Sequence, residues 1–490
     1  VTRKSGDRIA CVTDVGLDGD SRFVVPRVPK TLRIGGESEQ IMMRCSAVMG
    51  ALVLFFAGTT GCTGDDTAGA GPSDAGQTAD STSTTDASPP ADSGADASTS
   101  DASDGSLDAP SDASDAGTAY ALFVGTDFTS AELSVVGLRP DSVAGRLAIS
   151  DQDSVPYASG GLGFVLEHTL GQTIVLDRTQ PWMTTTTIDI NDSPDAGSYA
   201  SNPRTVLVTT GAKAYVARYA SNLVKIVDVA AGTVTGSVDL SSFVAPDDPD
   251  GLVDVQDGAY DPSTQRAYFL LQRINQFDFS GSAPDYVSAC LTSHAEIVAV
   301  DATTDAIVDL NGSAAGQAID LLGDNPAQIV PELATGALVI ADSGCYGVVD
   351  GGADGGQVPR EGRGVESVAL ATGTPTWLYQ TTDVDRLSGV VWVDATHAFV
   401  NQGSDWFSWN PTQTTLGASV ADFPQAPLYD GTSRILGLSA AEPDAGSDGG
   451  VTWSVVAMDV TSLQVTQIAQ SPFQSVVPAT SYGVTSALIP

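Results

Sequence analysis

Basic residues are scarce. Lysine and arginine together number 21 against 60 aspartates and glutamates in the 490-residue chain, a formal charge of −39. Such a surface repels phosphate backbones and anionic lipid headgroups, which argues against a nucleic-acid partner and against membrane attachment through a basic patch. Histidine is nearly absent: His168, His294 and His397 are the whole complement, and no HExxH spacing accompanies them. His168 and His397 read as structural residues; His294 lies in an unusual insertion and is the one to watch. The chain also lacks a G-x-S-x-G elbow, a Walker loop, a CxxCH haem site and a dinucleotide fingerprint. These gaps remove a positive warrant for an enzyme, although a site assembled from distant loops leaves no such motif.

Long hydrophobic runs are missing too, with one exception. Ala47 to Ala57 is apolar and follows Arg44, but it is well short of the about 20 residues that a membrane-spanning helix needs. It reads as the hydrophobic part of a signal peptide over residues 42–61. The run closes on Gly58-Thr59-Thr60-Gly61 and then Cys62. This ending resembles the lipobox of bacterial lipoproteins, which implies that Cys62 is lipidated and becomes the new N-terminus. Thr59 stands where that family usually carries an aliphatic residue, and ordinary secretory cleavage is the alternative. Residues 1–41 read as an upstream extension from an initiation site assigned too early. The expected address is the cell envelope, lipid-anchored at the outer membrane, with its periplasmic or surface side left open.

From Thr63 to about Gly117 the chain has no Lys or Arg and only Leu107 as an aliphatic residue larger than alanine. It cannot bury enough apolar surface to offset its ordering entropy, so residues 62–118 are expected to form a disordered acidic stalk. A flexible chain of this length spans about 40 Å.

Residues 119–490 differ in kind: short apolar runs alternate with turn residues, and Ala314 to Leu322 is the one weak helical pattern. The clearest unit is Ala212 to Leu240. It reads as three strands, Ala214–Arg218, Val224–Val229 and Thr233–Leu240, with Asp228 where a strand runs into a turn. The same strand-Asp-turn pattern returns at Asp177, Asp301 and Asp459, with Asn410, Ala371 and Gly137 in weaker copies. Hairpin patterns begin at Asp261, Glu332, Asp394 and Tyr429. Spacings near 40–45 residues fit four-stranded propeller blades. Residues Ala214 to Val234 resemble the YVTN-type β-propeller repeat of bacterial surface and periplasmic proteins. That resemblance implies a closed ring, in which the strand near Tyr120 to Gly125 meets the last strand, Tyr482 to Ile489. The fold expected is all-β, a single β-propeller of about seven blades after the stalk, with six or eight also open.

Three insertions break the period, at about 273–295, 344–364 and 442–450. The first carries Cys290 and the second Cys345; they are candidates for a disulfide, or else two buried thiols. Asp248, Asp250 and Asp254 are candidate calcium ligands in an acidic loop, where an EF-hand register fails because Pro246 takes the first ligand position. Trp406 and Trp409 are expected on one side of a strand. The expected function is a monomeric binding or scaffolding module with a protein or carbohydrate ligand and no resident cofactor beyond calcium. A lactonase-like hydrolase with its site at the channel mouth is the alternative, and a purely structural envelope protein a third.

Overall fold

A computed structural model describes residues 119–490, apart from 193–200, 210–211, 281–286, 313–316, 348–357, 360–361, 383–386, 442–450, 477 and 479–483. The expectations for residues 1–118, including the anchor at Cys62, lie outside the described residues, as does the third insertion.

The described strands assemble into eight sheets, of which seven are antiparallel blades. Blade 2 comprises Ser154–Ser159, Leu162–Glu167, Gln172–Leu176 and Thr184–Asp189. Blade 3 comprises Pro203–Val208, Lys213–Arg218, Leu223–Asp228 and Thr233–Asp239. Blade 4 has Val255–Asp261, Arg266–Leu271 and Glu296–Asp301, its outer position shared by Ile307–Val308 and Ile319–Asp320. Blade 5 comprises Pro326–Glu332, Ala337–Asp342, Arg363–Ala369 and Thr374–Thr381. Blade 6 has three strands, Leu387–Asp394, His397–Gln402 and Asp405–Trp409. Blade 7 comprises Gln425–Tyr429, Arg434–Ala441, Thr452–Asp459 and Val465–Gln470. Blade 1 joins the two ends of this domain: Tyr120–Thr126, Ala131–Leu138 and Asp141–Ile149 take Val484–Ile489 as their inner strand, with Tyr120 opposite Ile489. Each inner strand lies against the inner strands of its two neighbours, so the ring is closed. Closure leaves no sheet edge facing solvent at the seam.

The apolar core is not central; it is divided among the seven gaps between blades. Successive residues on a strand point to opposite faces of the sheet. In blade 4, Phe269 and Leu271 therefore enter the cluster shared with blade 3, while Tyr268 and Leu270 enter the one shared with blade 5. The same alternation sends Phe164 and Leu166 toward blade 3 and Val165 toward blade 1. Second strands are consequently apolar on both faces, as Ala267 to Leu271 is, every residue of it buried. Each fully buried Leu or Phe contributes about 1.5–3 kcal/mol, so seven such gaps make the ring rigid.

Two sequence expectations are corrected here. Trp406 and Trp409 face opposite gaps: Trp406 stacks on Phe423 with centroids 4.5 Å apart, whereas Trp409 meets Tyr379 and Trp392 on the blade 5 side. A spacing of three residues is odd, and strand periodicity is two. Within Ala314–Leu322, Ile319–Asp320 is a strand paired with Glu296–Ile297 rather than part of a helix. The blade edge offers it backbone partners that an isolated turn of helix lacks.

Candidate functional site

Antiparallel strands put the first-to-second and third-to-fourth turns of each blade on one face of the ring. The second-to-third turns and the blade-to-blade linkers leave the other. The first face is short and regular. Asp177, Asp301 and Asp459 close third-to-fourth turns by accepting N–H groups two and three residues on, and Asp394 and Asp430 do so in first-to-second turns. Asp228 differs slightly, accepting from Ala231 three residues on. The hydroxyls of Thr303 and Thr396, and after them those N–H groups, hold the Asp301 and Asp394 carboxyls down at about 2.

The first two insertions leave from the opposite face, between the second and third strands of blades 4 and 5; the third, outside the described residues, falls in sequence between the second and third strands of blade 7. The first two are joined. Cys290 and Cys345 form a disulfide with Cα atoms 5.2 Å apart, and Ile274–Ser280, Val287–Cys290, Tyr346–Gly347 and Val358–Pro359 make a small accessory sheet in which Ala289 pairs with Tyr346.

Beneath that stitch lies a cluster of buried carboxylates. Asp342 ends the second strand of blade 5 and is fully buried; Glu366, in the third strand, is also fully buried; Asp324, in the linker entering blade 5, is 4% exposed. Glu366 accepts the backbone N–H groups of Leu322 and Gly323 at 3.0 and 3.1 Å. No backbone N–H reaches either Asp342 oxygen, and the group that faces it is the Glu366 carboxyl. Burial raises the Asp342 carboxyl far above the usual range, and the neighbouring Glu366 and Asp324 push the same way. Glu366 is raised by burial too, against the pull of its two N–H partners. Each carboxyl disfavours the charge of the other, so burial and their mutual repulsion favour a protonated form of the pair. Glycine makes the room: a Cβ at Gly323 would overlap the Asp342 carboxylate, and one at Gly362 would meet Asp324 Oδ2 at 2.5 Å. His294 sits at the rim, half-exposed, with Nδ1 3.0 Å from Asp324 Oδ1. Nearby, Arg273 and Glu296 form an ion pair at 2.6 Å, and burial still pushes Glu296 up to about 7.

The other residues singled out from sequence lie elsewhere. Asp248 and Asp250 each serve a turn of their own, Asp248 Oδ1 accepting from Asp250 N and Asp250 Oδ1 from Leu252 N. Asp254 is fully buried in a left-handed conformation, φ +51°. Among the described residues, the one set of three metal-capable groups whose ligand atoms lie within 4.8 Å of one another is Cys290, Asp324 and Cys345, and the disulfide occupies both sulfurs. A calcium ion at Asp248, Asp250 and Asp254 would have to draw those side chains together. His168 is buried beside Asp153, at 3.1 Å, and His397 sits in the turn closed by Asp394.

A second concave region occupies the mouth of the central channel on the short-turn face. It is a cavity of about 550 Å³ lined by the inner strands of blades 2 to 5, with Tyr157, Leu207, Val208, Asp257, Tyr260 and Ile329 among its walls. Hydrogen bonds run between the inner strands here. Thr205 Oγ1 donates to the Tyr157 hydroxyl at 2.6 Å, and that hydroxyl lies 3.4 Å from Asp257 Oδ1. Asp257 accepts the N–H groups of Gly258 at 2.8 Å and Ile329 at 3.2 Å. Burial lifts its carboxyl to about 6, those N–H groups pulling the other way.

No family model matches the chain, and no curated protein matches it. Similar solved structures include the β-propeller domain of Myceliophteria thermophila Cps50 (Swd1), 9% identical, with a TM-score of 0.42, covering 72% of this chain and 96% of that one. Kuenenia stuttgartiensis hydrazine synthase is 11% identical, with a TM-score of 0.43 and coverage of 70% and 94%. Apo AztD from Citrobacter koseri is 13% identical, with a TM-score of 0.38 and coverage of 76% and 98%. At these values no functional argument follows.

Sequence reading missed Asp324, Asp342, Glu366, Tyr157 and Asp257. A usable signal was present: a carboxylate inside an apolar strand run, as in LVIAD, GVESVA and VQDGAYD, has to be paired, protonated or aimed at something.

Proposed function

We propose that this chain is an exported protein held at the outer membrane by a lipid on Cys62. Residues 63–118 act as an acidic spacer, and the propeller is a binding or scaffolding module of the cell envelope. Its ligand, a protein or a carbohydrate, is taken by the face of long connections. One observation carries the binding-face reading: the insertions of blades 4 and 5 interrupt second-to-third turns, and residues 442–450 fall in sequence between the second and third strands of blade 7, while the first-to-second turns on the opposite face stay short. Loop length costs little stability, and loops on a rigid scaffold are where recognition residues are placed.

Two measurements test this. Cys62→Ala should move the protein from the detergent phase to the aqueous phase on phase separation; an unchanged partition removes the anchor. On carbohydrate and peptide arrays, replacing residues 442–450 by a short Gly-Ser loop should change the binding pattern, and an identical pattern removes the face.

The hydrolase reading has one supporting observation, the half-exposed His294 held by buried Asp324. A hydrolytic site there requires that His294→Ala abolish turnover of a lactone or ester panel. A panel untouched by the parent protein ends that reading.

A further inference from the structure

Asp257 is a charged group enclosed in a cavity with nothing positive beside it. Among the described residues it forms no ion pair, and the groups acting on it are the Gly258 and Ile329 N–H groups and the Tyr157 hydroxyl. Oδ1 accepts the Gly258 N–H and, at 3.4 Å, the Tyr157 hydroxyl, whereas Oδ2 accepts the Ile329 N–H and keeps a second lone pair. Around it the cavity wall is aromatic and aliphatic, with Tyr157, Tyr260, Leu207, Val208 and Ile329. The Tyr157 hydroxyl accepts from Thr205 and keeps its own proton to donate, but it is neutral and leaves the carboxylate charge without a counter-ion. Phenol rings attract a cation through their faces, and a desolvated carboxylate attracts it more strongly. The acidic chain, at −39 overall, raises the local concentration of cations further.

We propose that the channel mouth is a binding site for a small organic cation, an ammonium group on an apolar body. Asp257 takes the charge beside Tyr157, and the edges that Tyr260, Leu207, Val208 and Ile329 present to the cavity meet the apolar part. The cavity of about 550 Å³ is the size of a small-molecule pocket, and its walls combine apolar surface with a few fixed polar groups. This site is on the face opposite the insertions of blades 4 and 5 and does not depend on the anchor or on what the long connections bind.

A structural role for Asp257 as a tie between the inner strands of blades 4 and 5 accounts for its two N–H partners. It does not account for the uncompensated charge beside open, apolar-walled space. The two readings part on charge selectivity.

The test compares phenethylammonium with 2-phenylethanol, which has the same ring and chain but a neutral head, by calorimetric titration of the full chain. The ammonium is expected to bind about tenfold or more tightly than the alcohol. Asp257→Asn is expected to remove that preference while the alcohol's weak binding stays. Because Asp257→Asn leaves one backbone N–H without its carboxylate partner and could fail to fold, Pro331→Trp serves as a second variant. Pro331 is exposed on the cavity rim, so the indole should block entry and abolish binding with the charge retained. No ammonium binding by the parent at roughly 10 mM, equal binding of ammonium and alcohol, an ammonium preference retained by Asp257→Asn, or unchanged affinity in Pro331→Trp would each overturn the proposal.

Discussion

At Asp301, on the face of short turns, the carboxylate meets solvent and accepts the Thr303 hydroxyl and the N–H groups of Thr303 and Thr304; at Asp342, on the face of long connections, it is buried and no N–H group reaches it. The first is held at about 2, the second far above the usual carboxylate range. The residue type is the same and the ring is the same. What differs is whether the backbone presents donors before burial removes water. A turn supplies them locally, because an Asp side chain reaches N–H groups two and three residues ahead. Of the pair, the buried site supplies them to Glu366 alone, and Asp342 is left facing its carboxyl, which favours the protonated form.

The comparison can be broken in order of expected effect. The largest concerns the stitch. Replacing Cys290 and Cys345 together by Ser should lower unfolding stability by about 4 kcal/mol on the chain-entropy model for a loop closed across 55 residues. Urea melts read this directly, and a variant as stable as its parent would show that the long-connection face is not pinned. Next comes packing of the acid cluster. Gly323→Ala drives a methyl into the Asp342 carboxylate and should cost about 1–3 kcal/mol. Part of that loss should return in the double variant with Asp342→Ala, since residues in contact are not additive.

A pH profile sharpens the comparison further. Asp342 and Glu366 are raised above their unfolded values, so the folded state binds more protons than the unfolded one. Their contribution therefore declines as pH rises through the window above about 4. Asp342→Asn removes the proton demand, and its stability relative to the parent should improve steadily from about pH 5 to about pH 8. A constant difference would mean that burial does not favour a protonated form of the pair. The turn face has the opposite sign. Asp301 and Asp394 are depressed to about 2, so their contribution is full above the unfolded value near 4 and is lost as pH falls toward 2. The smallest effect belongs here: Asp301→Ala should lower Tm by less than about 2 °C at neutral pH and by nothing near pH 2. A drop as large as that of Gly323→Ala would mean the turns carry the ring.

Legibility followed sequence distance. The strand-Asp-turn unit around Asp228 was readable because all its partners lie within a few residues, and the hairpins from Asp261, Glu332, Asp394 and Tyr429 were readable for the same reason. The pair Trp406 and Trp409 was misplaced by a parity slip that strand geometry corrects. Ile319–Asp320 was misread because its partner strand at Glu296 lies more than twenty residues away. The acid cluster was invisible as a cluster: Asp324, Asp342 and Glu366 come from one linker and two strands, and no local spacing links them. Tyr157 and Asp257 are 100 residues apart.

What the sequence determined by itself is the repeat, and with it the blade, because strand alternation and Asp-closed turns are satisfied by neighbours along the chain. It also placed the long connections, since insertions show as breaks in a period. Only the tertiary structure decided that the connections of blades 4 and 5 share one face, that Cys290 meets Cys345, and that Asp342 and Glu366 are buried together beneath them. It alone set Asp257 inside a channel mouth. Ring closure brings together strands remote in sequence, and burial then decides the charge state of whatever carboxylates it encloses.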